Sequence, residues 1–291
     1  LSATITDLYK KHLYLLDSAQ INAYDKEIMH QIIEGRASVT EIKKSLALLI
    51  TAMRQHYGRQ VILLLDEYDV PVAKASSHGY YAQMMEVIKA LMSTTLKDNA
   101  SLQFAVLTGC LKIAKESIFT GTNNFVSDTI TSSHLNEYFG FTQKDVDSLL
   151  EVMQAAEQAE NVRKWYDGYH FGEFDVYCPW DVMNYLRDLQ RDDKAKPASY
   201  WKNTSDNAII RSFIDFAGNR RKLEILMSGG YITQKIEENL TYDYLHASED
   251  NLWSILYLTG YLTQVREQDI GEKIPEGLAA LATPNAEIPE I

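Results

Sequence analysis

Hydrophobic positions in the first third of the chain follow a helical spacing that gives way to two short apolar runs. Residues 38–57 place apolar side chains three and four positions apart, and Gly58 is positioned to end this helix. The run Val61–Leu65 is continuously apolar, which is typical of a strand buried on both faces. Helical spacing returns over residues 80–97, and a second apolar run occupies Leu102–Leu107. A strand, a helix and a strand in this order predict a βαβ unit whose two strands are parallel.

The second half of the chain has a mainly helical pattern with short interruptions. A Thr-x-x-Asp sequence at residues 142–145 predicts the start of a helix, which we expect to run to about Gln158. Residues 169–177 predict a hairpin that turns at Gly172. The remainder has helical spacing to about residue 264, with a further small hairpin expected near residues 231–236.

Charge and cysteine content narrow the classes of protein that fit. The sequence has 28 Lys and Arg against 40 Asp and Glu, a formal net charge of −12. Such an acidic surface argues against direct binding of nucleic acid or of an anionic membrane by this portion. The two cysteines, Cys110 and Cys178, lie far apart in sequence, so we expect neither a disulfide framework nor a cysteine-based zinc site. These features favour a cytoplasmic protein, and no apolar run approaches the ~20 residues that cross a bilayer.

The sharpest chemical feature is an apolar run that ends in acidic residues, VILLLDEYD at residues 61–69. This pattern has the form of a Walker B strand. In an open α/β sheet, ligands lie beyond the carboxyl ends of the strands. There Asp66 can hold Mg²⁺, usually through water, and Glu67 can act as the general base on the water that attacks a γ-phosphate. An alternative interpretation is that both acids simply end a strand in solvent.

The second apolar run ends in Thr108 and Gly109, which would lie at the same edge of the sheet. Thr108 is therefore a candidate for sensing the γ-phosphate, although a threonine at a strand end can equally bond its local backbone. The phosphate-binding motif GxxxxGK[ST] is absent, because none of the 14 glycines is followed by lysine. Either the protein is not a P-loop ATPase, or its phosphate-binding loop precedes Leu1.

Several segments occur in the order found in one family, namely LLLDEYDVPVAKA, LTGCLKIAKESIFTGTNN, KWYDGYHFG, VYCPWDVMNYL and PNAEIPEI. With these segments the chain resembles the predicted AAA-ATPase-like family, from about Ser38 to its last residue. The family consists of large, mostly bacterial proteins with an N-terminal P-loop ATPase and, commonly, a C-terminal PD-(D/E)XK nuclease-like domain. Its phosphate-binding loop precedes the region present here. The resemblance thus implies a fragment that by itself hydrolyses little or no ATP.

The resemblance assigns roles to residues around the DEYD run. It implies Asp66 as the Mg²⁺ residue, Glu67 as the catalytic base and Asp69 as a loop acid near the bound cofactor. Lys112 stands where the family usually has arginine after the Thr-Gly pair; a lysine keeps the charge but loses the bidentate fork. Thr108 and Lys112 are accordingly the expected contacts to the ATP phosphates, together with Asp69.

The resemblance extends to two further segments, around Cys178 and over residues 165–169. Cys178 replaces the asparagine of the family's YNPW segment, which removes a helix N-cap and leaves catalysis untouched. The WYDGY segment, residues 165–169, fits aromatic packing around a turn, and the alternative is a contact with the nucleotide or a partner.

These observations together predict an α/β fold: a partial P-loop NTPase-type parallel sheet with flanking helices, followed by a mostly α-helical lid-like or winged-helix-like domain. The expected boundaries are 1–136 for the ATPase-like core, 137–270 for the lid and 271–291 for a linker toward a missing C-terminal domain. We expect ATP and Mg²⁺ as cofactors, a nuclease-like domain as partner in cis and no association with membranes. The alternative is a degenerate, non-catalytic ATPase-fold scaffold for protein–protein interaction.

Overall fold

The structure is a computed structural model that describes residues 1–110, 125–202, 220–238, 240 and 249–291. These residues divide into two units. The first contains residues 1–110, 125 and 240, and the second contains residues 126–202, 220–238 and 249–291. Each unit has a hydrophobic core of its own.

The first unit is a set of helices with one small parallel sheet. Its described elements are the helices α1 (Ser2–Lys10), α2 (Ala23–Ile33), α3 (Val39–Tyr57), α4 (Val70–Ser77) and α5 (Tyr81–Leu96), a 3-10 turn (Leu13–Asp17) and the strands β1 (Val61–Leu65) and β2 (Leu102–Leu107). Helix α3 packs against α5, α2, α1 and β1, so it is central to this unit.

Helix α3 begins and ends where the sequence predicts. Its N-cap Ser38 forms a reciprocal capping box with Glu41, in which each side chain accepts a backbone N–H of the other residue. At the other end Gly58 takes the left-handed conformation with φ 66°, which glycine adopts without steric cost. Deep in the helix interface, the buried Tyr9 hydroxyl donates to the Ser45 carbonyl at 2.7 Å.

Strands β1 and β2 pair in parallel, which confirms the predicted βαβ unit. The expectation that both faces of β1 are buried is wrong. Side chains alternate between half-buried and exposed positions along the strand, and Leu64 is 72% exposed. On the neighbouring strand Phe104 and Val106 are also exposed on the same face. The described residues therefore cover one face of the sheet, which helix α3 contacts.

Helix α4 is an element that the sequence analysis missed. It starts immediately after Asp69 and carries Pro71 in its first turn. A proline in this position is compatible with a helix start, since the first-turn N–H groups have no partner within the helix. The consequence is that the loop after β1 is short, because a helix follows it directly.

The second unit combines helices with two small antiparallel sheets. Its described helices are α6 (Gln143–Val152), α7 (Ala159–Tyr166), α8 (Pro179–Arg191), α9 (Arg220–Met227), α10 (Glu249–Leu258) and α11 (Glu267–Ile270), with 3-10 turns at Asn136–Tyr138, Ala156–Gln158 and Ile288–Glu290. Its described strands are β3 (Tyr169–Phe171), β4 (Phe174–Val176), β5 (Ile232–Gln234), β6 (Thr263–Val265) and β7 (Ala279–Ala282).

Local predictions for the second unit are partly confirmed. Thr142 caps helix α6 through a capping box with Asp145, and β3 and β4 form the hairpin that turns at Gly172. Helix α6, however, ends at Val152 and does not continue to Gln158, since Gln154 takes a left-handed φ of 54°. A left-handed residue cannot continue a right-handed helix.

The last part of the chain is folded into the second unit. Strand β7 is the central strand of a three-stranded antiparallel sheet, between β5 and β6. The small hairpin expected near residues 231–236 is therefore wrong, because β5 pairs with a strand that lies more than 40 residues further along the chain. The linker predicted over 271–291 likewise contains a buried strand, since Ala280 and Leu281 are fully enclosed.

The described residues form a mixed α/β structure that includes a two-stranded parallel sheet. A larger sheet of the P-loop NTPase type stays a prediction. Within the described residues, no helix is both long enough and apolar enough to cross a membrane.

Gly168 of the WYDGY segment is closely approached by the PNAE segment. A Cβ atom at this position would lie 1.9 Å from the carbonyl oxygen of Pro284, and the residue has φ 99°. The Asn285 side chain donates to the Asp167 carbonyl at 2.9 Å, and the Ala286 N–H donates to the Lys164 carbonyl at 3.1 Å. These contacts join two distant segments of the sequence in the second unit.

We predict that Gly168→Ala lowers the free energy of unfolding by about 1–3 kcal/mol more than Gly271→Ala does. Both glycines have positive φ, but a Cβ at Gly271 would meet no atom within 4 Å. The matched control thus separates the clash with Pro284 from the backbone strain that both substitutions share. Urea unfolding of the two variants is the measurement, and equal losses would contradict a close approach at Gly168.

Candidate functional site

The register of the parallel sheet brings the ends of β1 and β2 side by side. Leu65 is paired with Leu107, and the Thr108 N–H donates to the Leu65 carbonyl at 2.9 Å. One step further, the Tyr68 N–H donates to the Thr108 carbonyl at 3.0 Å. Backbone pairing therefore continues past the strand ends. Because of it, Asp66 and Thr108 lie next to each other at the carboxyl edge of the sheet.

Asp66 and Thr108 are in direct contact. The Thr108 hydroxyl donates to Asp66 Oδ1, and the Glu67 N–H donates to the same oxygen at 3.0 Å. The second oxygen, Oδ2, accepts no hydrogen bond from the described residues, and the Asp66 side chain is exposed. One carboxylate oxygen is thus held in place while the other is open to a ligand.

Glu67 has a backbone conformation that few non-glycine residues adopt. Its φ is 52°, in the left-handed region. The residue is exposed, and its carboxylate forms no hydrogen bond or ion pair with other described residues. A strained backbone persists only where the surrounding structure determines it, and such positions are common at functional sites. The geometry leaves the Glu67 carboxylate available to a solvent molecule or a ligand.

Asp69 differs from the other two acids of the DEYD run, because it is only 2% exposed. Its Oδ1 accepts the Cys110 N–H at 3.3 Å, which ties the start of α4 to the loop after β2. Gly109 lies against the same side chain, and a Cβ there would be 2.6 Å from Asp69 Oδ1. Asp69 thus holds the Gly109–Cys110 backbone in place; its role as a cofactor ligand stays a prediction.

The three carboxylates create a negative electrostatic environment at this edge of the sheet. Burial, followed by the charges of Asp69, Glu67 and Asp66, raises the pKa of the Cys110 thiol above its usual value. Such an environment disfavours a thiolate and favours a cation. Lys112, the expected phosphate contact, lies outside the described residues.

The oxygen atoms of Asp66 and Thr108 could hold a magnesium ion only together with further ligands. Mg²⁺ is typically held by one or two carboxylates, with water and substrate phosphates as the remaining ligands. Asp66 offers a free carboxylate oxygen beside a hydroxyl, which are both hard oxygen donors. Among the described residues, no group of three or more His, Cys, Asp or Glu side chains is placed to hold a metal by itself. Phosphate and water ligands would have to complete the site.

Sequence reasoning missed the part that Gly109 plays in this arrangement. The close approach of the Asp69 carboxylate and the Tyr68 ring leaves no room for a side chain there. The available signal was the glycine itself, which directly follows an apolar run. The residues of the WYDGY segment lie in the second unit, where Tyr166 and Tyr169 are buried, as the packing interpretation expects.

Comparison with known proteins supports the family resemblance. Residues 5–119 match the model of the AAA-ATPase-like family, described as predicted AAA-ATPase. This match confirms the resemblance for the part of the chain that contains β1, β2 and the residues at their carboxyl ends. That part of the chain is therefore similar to a family described as predicted ATPases.

A longer relative was also found. The chain is similar to a protein of Azotobacter chroococcum mcd 1 named "Uncharacterized protein in vnfD 5'region", with 26% identity over 219 residues. The similarity covers 74% of this chain and 39% of that protein, so the chain spans about two fifths of the relative's length. No solved structure matches the chain significantly.

We predict that Asp69→Ala lowers the free energy of unfolding by about 1–2 kcal/mol, whereas Asp69→Asn costs less than half as much. Alanine removes the acceptor of the Cys110 N–H in this partly buried hydrogen bond, and losing such a bond is costly; asparagine retains an oxygen at the same place. Chemical denaturation of the two variants provides the measurement. If Asp69 were only a ligand for the cofactor, both variants would unfold like the parent protein.

Proposed function

We propose that the chain contributes the Walker B and phosphate-sensing part of an ATP-hydrolysing P-loop ATPase. The observation that carries this proposal is the contact between Asp66 and Thr108 at the carboxyl ends of two parallel strands. This edge is where open α/β sheets bind their ligands. The match of residues 5–119 to a predicted ATPase family supports the same function.

In this proposal Asp66 would hold Mg²⁺, because its Oδ2 accepts no hydrogen bond from the described residues. The ion would neutralise charge that develops on the β- and γ-phosphates. Glu67 accepts a proton from the attacking water, a task for which its exposed and unengaged carboxylate is suited. ATP and Mg²⁺ are therefore the proposed cofactors, with Lys112 and Asp69 as further candidates near the phosphates.

Thr108 would distinguish the state with bound nucleotide from the state without it. A threonine hydroxyl has one proton to donate. In the structure that proton goes to Asp66 Oδ1, so a hydrogen bond to a γ-phosphate requires the hydroxyl to turn away from Asp66. Nucleotide binding would thereby release Asp66 Oδ1 as an additional oxygen donor. This exchange links phosphate sensing to metal binding within a single side-chain contact.

We further propose, on the family resemblance, that ATP hydrolysis regulates a nuclease-like domain in the same polypeptide. The length of the Azotobacter relative, of which the chain covers 39%, is compatible with additional domains. A cytoplasmic location is proposed as well, because both cysteines are free thiols. The non-catalytic scaffold is the competing function, and it requires no base at Glu67.

The proposal predicts distinct effects of three substitutions on ATP hydrolysis by the full-length gene product. Glu67→Gln should reduce kcat by about 100-fold or more while Mg-ATP still binds, since the base is lost and the charge partner of Mg²⁺ remains. Asp66→Asn should weaken the dependence of binding on Mg²⁺. Thr108→Ala should reduce kcat about 10- to 100-fold, and Thr108→Ser should retain activity because it keeps the hydroxyl.

Steady-state ATPase assays and nucleotide-binding titrations with and without Mg²⁺ measure these effects. Glu86→Gln is the matched control, because it removes an exposed carboxylate on α5 that forms an ion pair with Lys43. Turnover that is equal in Glu67→Gln and the parent protein would overturn the assigned role of Glu67. A full-length protein that neither binds nor hydrolyses ATP would instead favour the scaffold.

A further inference from the structure

Two carboxyl groups are completely buried in the second unit. Asp181 lies in the first turn of α8, and Glu287 follows strand β7; both residues are 0% exposed. The two side chains lie close enough for each carboxyl group to act on the other. An ionised carboxylate taken out of water without a counter-charge carries a large desolvation cost. Some interaction must therefore offset the cost of burying this pair, and no residue of the proposed ATPase site does so.

The hydrogen-bond donors around the pair are too few for two ionised carboxylates. The Trp201 N–H donates to Glu287 Oε1 at 2.9 Å. Glu287 Oε2 and both oxygens of Asp181 are buried without an N–H or O–H donor among the described residues, and the Cys178 thiol beside Asp181 is only a weak donor. Neither carboxyl takes part in an ion pair in the described part of the chain. A single proton reduces this deficit and removes one of the two charges, because a protonated carboxyl donates an O–H to its ionised neighbour.

We propose that Asp181 and Glu287 share one proton, and that this proton fastens the segment of residues 285–288 to the start of helix α8 as a pH-sensitive clasp. The clasp loosens when the proton is lost, because two adjacent buried negative charges then repel each other. This inference is independent of the proposed ATPase function, since every group in it belongs to the second unit.

The contacts around Glu287 show what the clasp would hold. Asn285 and Ala286 donate hydrogen bonds to backbone carbonyls at the end of α7, and Trp201 donates to Glu287 itself. The Cys178 N–H, just before α8, donates to the Tyr166 carbonyl at 3.0 Å. The segments that meet here are the WYDGY, YCPW and PNAE motifs and the residue pair 200–201. The proton would thus lie where four separated segments come together.

The titratable groups that face the pair do not supply a positive charge. They are the Cys178 thiol, which lies beside Asp181 before α8, the Tyr166 phenol on α7 and the Tyr169 phenol on β3. Burial, and then the neighbouring Asp181, raises the pKa of Glu287 to about 7; burial also raises the pKa of Asp181. The thiol and both phenols have raised pKa values as well, chiefly through burial, so they stay neutral near pH 7.

The direction of the pH effect follows from proton linkage. The folded protein binds the proton more tightly than the unfolded chain, in which a glutamate has a pKa of about 4.3. The stabilisation is therefore complete below about pH 4, is lost progressively as the pH rises toward 7, and changes little above that value. For opening of the clasp, the equilibrium constant should increase by up to about tenfold per pH unit within this window.

Hydrogen exchange measured by mass spectrometry between pH 5 and pH 8 tests the proposal on the 291-residue chain. Exchange is measured in two peptides, one that contains Trp201 and one that contains residues 285–288. After correction for intrinsic exchange rates, the protection of both peptides should fall severalfold or more from pH 5 to pH 7. In Glu287→Gln, which retains an oxygen for the Trp201 N–H, protection should be independent of pH. Glu290→Gln is the matched control, because the Glu290 side chain lies just after this segment and is exposed. This variant should behave like the parent protein.

Infrared spectroscopy provides a second measurement. At pH 6 the parent protein should show the carbonyl band of a protonated carboxylic acid, and the double variant Asp181→Asn with Glu287→Gln should lack it. Asp181→Asn serves as an alternative should Glu287→Gln fail to fold. Protection that does not change with pH in the parent protein would overturn the proposal. A pH dependence that persists unchanged in Glu287→Gln or Asp181→Asn would overturn it equally.

Discussion

The candidate site depends on the parallel pairing of β1 with β2. Leu65 and Leu107 occupy equivalent positions, so the residues that follow them emerge together at one edge of the sheet. A shift of the register by one residue would separate Asp66 from Thr108 and reverse the faces on which they lie. The backbone bonds of Thr108 and Tyr68 extend this pairing beyond the strands. The chemistry proposed for the site thus rests on backbone hydrogen bonds that involve no catalytic side chain.

The acids of the DEYD run show how one short motif can combine different physical roles. Asp66 is exposed and partly engaged, Glu67 is exposed and strained, and Asp69 is buried against the loop that follows β2. Burial distinguishes Asp69 from Asp66 and Glu67, and the sequence pattern does not directly show which of the three acids is buried. Gly109 is needed for the role of Asp69, because the absence of a side chain at Gly109 lets the Asp69 carboxylate reach the Cys110 N–H.

The second unit is organised by contacts between segments that are far apart in sequence. Pro284 packs on Gly168, the segment after β7 bonds to the end of α7, and the buried carboxyl groups of Asp181 and Glu287 meet in the same place. These motifs are consequently structural elements of the second unit, and Tyr166 and Tyr169 of the WYDGY segment are buried in it. The shared proton inferred here would make the stability of that core depend on pH.

The sequence by itself determined the local features whose causes are local. The N-cap at Thr142, the glycine that ends α3 and the hairpin turn at Gly172 each depend on a few adjacent residues, and all were predicted. Only the tertiary structure decided which strands pair over long distances and which polar groups are buried. The pairing of β5 with β7 and the proximity of Asp181 to Glu287 depend on residues that are far apart in sequence, and hydrophobic periodicity carries no information about such pairings.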